Sequence, residues 1–514
     1  MSQLARLSLI VVATLGLLTP APGTAQAPAR SLGVVTLDPG HAPAAAVASF
    51  HLGMAALYDF AFVEARSAFA DAQQQAPGFW PPLWGEAMTY FDPLLGSTQP
   101  SLARPLLDRA AQLRESAAPN SVMEALLGAA LALFPDSGTT NSDAFHDAVA
   151  LGLEDWPNDP DLTAFRSLVL LAEASELQGS ESDRARMRAA AAIEESLAAA
   201  PAHPGLLHFL LHSYDDPVHA PLGLRAARAY AQVAPGSSHA LHMPTHIYVQ
   251  TGDWAEASRL NREAWNLSVA SAEQFGREVL DFHALYWLLY ADLQRDDRVS
   301  GQQWMETIRQ HRDPAVVDNG HVHWLLMTAR WVVDGDQWDE RPLLTESTSV
   351  AHDLLQSTAL VAQGVGAARL GEFAEVAAVA DVLRSLTEKN RRDGNAAWAD
   401  ILSVSLGVVE GAGALTNGRV EEAVTKLSVA AEHESRLPLP NGPPTPAQPA
   451  MELLAEALLV ANRPAEAIEW LERSLLRTPG RRRAATLLAT AHRLDASSRR
   501  PDAGDGVAPS RQRL

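Results

Sequence analysis

One spacing constrains this chain more than any other. Gly53, Ala65, Phe69, Ala72 and Pro77 fall at the intervals of a repeat of about 34 residues in which two helices meet across a short turn. Small residues stand where the helices touch, and a proline stops the second helix. Ala455, Ala467, Leu471 and Pro479 keep the same intervals near the other end of the chain. A unit of this size cannot bury its apolar face alone and has to stack on neighbours. Two copies at opposite ends of 514 residues therefore predict a continuous stack of helix pairs between them.

The intervening sequence agrees. Helical periodicity runs through 102–114, 121–134, 143–154, 161–177 and 183–200, broken by Pro, Asn and Asp signals, and resumes from Trp254 to Leu437. Alanine and leucine dominate and aromatics are only 6%, which favours helix over strand. No convincing strand is found. The fold expected is all-α, a tetratricopeptide-like right-handed α-solenoid of antiparallel helix pairs over 43–436. An extended segment precedes it at 28–42. A proline-rich connection follows at 437–448, then a last helix pair at 449–496 and a polar, disordered tail at 497–514.

The N-terminus reads as an address. Arg6 precedes an apolar run, Leu7 to Leu18, too short to span a bilayer, and Ala25-Gln26-Ala27 offers a cleavage pattern. Pro28 directly after it leaves the exact cut open. Residues 1–27 are thus expected to be an export signal, and the mature protein periplasmic or secreted. No later stretch reads as long and apolar enough to cross a membrane. A net charge of −21 without a basic stripe excludes nucleic acid as a partner. Arg481, Arg482 and Arg483 read as a helix start or solvated face. The chain has no cysteine, so any metal must be held by His, Asp or Glu.

Seven of the 17 histidines lie between positions 203 and 246. His208 and His212 are one helical turn apart, with Asp215 continuing their face and His203 just before Pro204. His239, His242 and His246 form a second face, and the Pro244 among them marks a helix start. Aligning Ala257 with the repeat puts this second group on the first helix of a pair. Imidazoles four apart on a helix are a common way to give one metal two ligands. A polar groove that hydrogen-bonds a ligand, or steadies helix crossings, is the competing reading. His283 falls on the next unit and is a further candidate, whereas His321 and His323 read as solvated. Glu86, beside Trp84 on an apolar helix, needs a partner for its charge and is the candidate base.

The runs FHLGMAALYDFAFVEARSAFADA, PLWGEAMTYFDPLL, HPGLLHFLLHSYDDPVHA, SSHALHMPTHIYVQTGDW and DFHALYWLLYADLQ, with PPTPAQPAMELLAEALL near the end, resemble a group of exported bacterial tetratricopeptide-repeat proteins of uncharacterised activity. The motifs HPG-x2-H-x3-H and H-x2-HMP-x-HI are specific to it. The resemblance implies a helical-repeat fold and makes the histidine set a family feature. The family often carries Asn-His at Phe91-Asp92 and His at Met451. This chain departs from it at both places, so that, if those histidines complete a site, it has lost two ligands or replaced one with Asp92.

The resulting expectation is a divalent transition metal, Zn, Cu, Ni or Fe, on His203, His208, His212, Asp215, His239, His242 and His246, with Asp92 and His283 as additional ligands. Such an ion would serve metal-dependent chemistry or, failing that, storage. The alternative is a non-catalytic scaffold that takes a peptide or protein segment in its concave groove.

Overall fold

The computed structural model describes residues 31–94, 97–114, 121–177, 179–313, 318–347 and 353–498. The expected export signal and the expected tail from 499 onward lie outside them. Among the described residues there are 23 α-helices, running from Ala44 to Ser498. The departures from an all-helical chain are small: Phe91–Asp92 pairs antiparallel with Ser97–Thr98, and two 3-10 segments occur at Arg277–Val279 and Trp338–Ser347. The chain is an α-solenoid of helix pairs. Ala44–Tyr58 packs on Phe62–Gln75, Pro204–Ser213 on Ala220–Val233, and Pro244–Thr251 on Trp254–Phe275. Phe282–Gln294 packs on Arg298–His311, and Ala450–Val460 on Pro464–Arg477.

The repeat positions do what their spacing predicts. Ala65, Phe69, Ala72, Ala455, Ala467 and Leu471 are wholly buried between helices. A methyl group on Gly53 would sit 2.5 Å from the Phe69 ring, so only glycine lets these two helices close. Aspartates start many helices. The side chains of Asp159, Asp253, Asp281, Asp297 and Asp318 each accept a hydrogen bond from a first-turn amide.

The turns inside the pairs share one device. An amide bonds back to the carbonyl five residues earlier, and the residue before that amide is left-handed. That residue is Gly252, Asp296, Asp336, Gly371, Gly394, Gly418 or Asn462, types that tolerate the conformation. In the first pair it is Phe60, at φ 55°.

One apolar core extends from Val35 to Trp331 and a second from Val361 to Ala491. The segment after Leu437 has no regular structure until Ala450 and returns to the first core. Pro440 accepts a bond from Gln250, Arg330 donates to the Pro444 and Ala447 carbonyls, and Gly442 lies against Trp287. Contrary to the sequence reading, helix Ala396–Thr416 is long and apolar enough to cross a bilayer by length and composition. It buries Leu402, Val404, Val408 and Val409 in the second core.

The arginine run is also corrected. It does open a helix, Arg482–Ser498, but it does not face solvent. Arg481 is fully buried and ion-paired with Asp334 at 2.7 Å and Glu452 at 2.6 Å. Arg482 and Arg483 bond the Leu293, Asp334 and Val333 carbonyls at the end of other helices. These residues therefore clamp the last repeat to the middle of the chain. Arg481→Ala strands the buried Glu452, leaves Asp334 to Arg330 alone, and is expected to cost roughly 3–5 kcal/mol in chemical denaturation. A loss below about 1 kcal/mol would show that the clamp is dispensable.

Candidate metal centre

Four of the histidines that meet at the site come from the first helix of a pair, and His239 and His242 from the short helix that leads into one. Pro204–Ser213 supplies His208 and His212. Ser238–His242 and Pro244–Thr251 supply His239, His242 and His246, and Phe282–Gln294 supplies His283. Pro204 occupies the first turn of its helix, where its missing N–H costs nothing. Gly205 is required beside it, because a methyl group there would fall 2.4 Å from the Tyr58 ring. Pro244 does start a helix, as its position suggested. The approach to it is itself helical, however, so His239 and His242 already stand on a helical face.

The imidazoles gather into two triads: His208, His212 and His239, and His242, His246 and His283. In each triad the ligand atoms lie within 4.8 Å of one another. In the first, the His208 Nε2 is 3.1 Å from the Nε2 of His212 and 3.1 Å from that of His239. In the second, the Nε2 atoms of His242 and His246 are 3.0 Å apart. The triads adjoin, with ring centroids 6.2 Å apart for His239 and His242 and 6.4 Å for His212 and His246.

What stands behind the rings fixes their protons. His208 Nδ1 donates to the Tyr58 carbonyl at 2.6 Å. His242 Nδ1 donates to Asn261 Oδ1 at 2.7 Å, and the Asn261 amide is held in turn by its bond to the Ala257 carbonyl. His246 Nδ1 donates to Asp215 Oδ2 at 2.7 Å. With Nδ1 protonated, the neutral form of each ring turns an Nε2 lone pair inward, the second-shell arrangement of metal-ligating histidines. Asp215 Oδ1 is buried with no hydrogen-bond partner in the protein, an acceptor that a water or an ion would satisfy.

Aromatic walls complete the site. Trp287 stacks on His246 at 4.2 Å, and Tyr230 lies parallel to His208 at 5.6 Å while its hydroxyl donates to the buried Asp59. Phe60 stacks on His239 at 5.6 Å and meets His208 edge-on at 4.7 Å. Burial, followed by the neighbouring imidazoles, holds His208 and His212 well below the usual histidine range. His283 keeps solvent contact at its edge although other rings crowd it.

The other sequence candidates are placed elsewhere. His203 caps its own helix, with Nδ1 accepting from the Leu206 amide and Nε2 3.3 Å from Asp161. Asp215 sits behind His246, not among the converging nitrogens. Asp92 lies in the small strand pair, and Glu86 stands on helix Pro81–Met88 with Arg66 as its charged neighbour; neither belongs to a triad. His321 and His323, read as solvated, are buried, and His323 lies 5.7 Å from His283. Sequence reasoning did not find Asn261, Tyr58, Phe60 or Trp287 as parts of the site. Only Phe60 carries a local signal, a bulky residue where the turn of a repeat needs a left-handed one. A separate cleft of about 660 Å³, lined among others by Arg228, Tyr248, Arg259 and Glu263, contains none of the triad residues.

The left-handed Phe60 costs about 1–2 kcal/mol of backbone strain. Its half-buried ring returns a similar amount, about 1–2 kcal/mol. Phe60→Gly is therefore expected to leave the urea midpoint nearly unchanged while shifting the ring-nitrogen NMR signals of His208 and His239. A destabilisation above about 3 kcal/mol with unmoved signals would make Phe60 an ordinary core residue.

No family model matches the chain, and no curated protein does. Among solved structures it is similar to yeast Tom70, at 13% identity and a TM-score of 0.40, over 88% of this chain and 89% of that one. A human IFIT1 dimer with m7Gppp-AAAA is similar at 14% identity and a TM-score of 0.37, over 87% and 91%. The P58(IPK) TPR domain follows at 12% and 0.21, over 89% and 99%.

Proposed function

We propose that this chain is an exported repeat protein of the bacterial group whose histidine motifs it carries, and that its central helices bind a divalent transition metal. One observation carries the reading. His242 and His246 both give Nδ1 to an acceptor, and their Nε2 atoms are 3.0 Å apart. Two lone pairs at that distance repel unless a cation lies between them. A proton serves, and so does a metal ion. Bonds of about 2.0–2.1 Å to a tetrahedral ion set neighbouring nitrogens about 3.3 Å apart, close to the spacing found here. A nitrogen-rich, sulfur-free donor set suits Zn, Cu, Ni or Fe. When bound, such an ion supplies Lewis-acid or redox chemistry, or is simply stored. Asn261, Asp215 and the Tyr58 carbonyl orient the ligands, and the aromatic walls limit water.

Metal analysis tests this on untagged protein loaded with Zn²⁺, Cu²⁺, Ni²⁺ or Fe²⁺ and then desalted. At least one ion per chain is expected. Asn261→Ala and Asp215→Asn, which change no nitrogen ligand, should each weaken binding about 10–100-fold. Retention of less than about 0.2 ion per chain would sink the reading. A peptide copurifying with metal-free protein would favour the groove-binding scaffold.

Protons compete for the same nitrogens. Burial depresses His239 to about 4 and His242 to about 3; Asp281 opposes it and His246 adds to it. The unfolded chain titrates near 6.5, so it takes up protons first, and stability falls as pH drops from about 6.5 toward 4 and 3. Glu434 runs the other way. Burial raises it to about 7, so its contribution is complete below about 4.5 and is lost as pH rises through 7. Metal-free Glu434→Gln protein, melted between pH 7 and 5, removes one opposing contribution, leaving the buried Asp59, which burial also raises, against the several depressed histidines. Its Tm should fall on acidification, and a flat or rising Tm would contradict the neutral triads.

A further inference from the structure

Resting on the metal-binding reading, we propose that the site is dinuclear, with one divalent ion on His208, His212 and His239 and a second on His242, His246 and His283. The two triads share no residue, and each offers the three nitrogens of a site that keeps an open coordination position. Within each triad the ligand atoms lie within 4.8 Å of one another, and among the described residues no such group draws on both triads. One ion with bonds of about 2.0–2.1 Å gathers one triad and does not reach across both.

The supports are divided in the same way. The Tyr58 carbonyl sets the first triad, and Asn261 and Asp215 set the second. Asp215 also joins the two. It follows His212 by three residues, holds His246 with one oxygen, and keeps the other buried and unpaired. Six neutral imidazoles bring no charge, so two divalent ions would rely on nearby carboxylates. Asp215 is one, and Asp281, held by Ser238 and facing His242 and His239, is another. Two adjacent ions with open positions suit a small bridging ligand such as hydroxide, and with it the metal-assisted chemistry of paired sites.

The test uses full-length mature protein and Co²⁺, whose d–d absorption reports coordination. In the unmodified protein the absorption should grow linearly and break at two equivalents, a reading that needs no variant. The double variants His208→Gln/His212→Gln and His242→Gln/His246→Gln, shown to be folded by circular dichroism, should each retain one equivalent. The Cu²⁺-loaded parent should show a half-field EPR transition that both variants lack. A single break at one equivalent overturns the dinuclear proposal and leaves the metal-binding reading standing. No absorption at all removes the metal-binding reading itself. Two equivalents with the full-intensity signal of isolated Cu²⁺, showing neither a half-field transition nor coupling-induced loss of intensity, place the ions apart and likewise overturn the pair.

Discussion

The hydrogen bond from His208 Nδ1 to the Tyr58 carbonyl links two parts of the chain 150 residues apart. Its acceptor is available because of where it lies. Tyr58 is the last residue of the first helix, and carbonyls at a helix end lack intrahelical partners. The turn that follows holds Phe60 in a left-handed conformation, which turns its ring onto His208 and His239. One helix end thus orients a ligand, and one strained turn walls the pocket. The first repeat is thereby part of the site, although it supplies no histidine to it.

The same economy appears on the other side. Asn261 lies on the second helix of the pair that the short helix carrying His242 leads into, and its amide is locked by the Ala257 carbonyl. The helix pair that buries apolar area also places an acceptor behind a ring. Farther along, the proline-rich connection sets Gly442 against Trp287, which in turn stacks on His246. The arginines from Arg481 to Arg483 hold the last repeat against the helix ends at Leu293 and Asp334. Packing far along the chain is therefore coupled to the wall of the pocket by direct contacts.

Much of the fold was legible because it is local. Small residues, prolines and apolar periodicity specify a helix pair wherever they occur, and Ala65, Phe69, Ala467 and Leu471 are buried as their spacing predicts. The six triad histidines were legible too, five as two helical faces and His283 as an addition. The partition was not. Sequence groups His239 with His242 and His246 because they share a face, whereas the stacking of successive pairs turns His239 toward His208. His203 showed the opposite failure. Its place before Pro204 marked an N-cap, and capping together with Asp161 engages both of its nitrogens. His321 and His323 were read as solvated because a polar residue at a helix start is usually exposed. Here neighbouring repeats cover them, which no local pattern records.

Asp92 and Met451, the two positions at which the sequence resemblance led to an expectation of histidine, lie away from the triads. Asp92 lies in a strand pair outside both triads, and Met451 is buried in the second core with its amide bonded to Glu434. Neither position is among the six imidazoles that converge. What Met451 does border is a smaller cavity of about 210 Å³, shared with Glu434, Pro444 and Arg477. A histidine at 451 would stand beside the Glu434 carboxyl and favour its charged form. With methionine there, burial raises the Glu434 carboxyl to about 7.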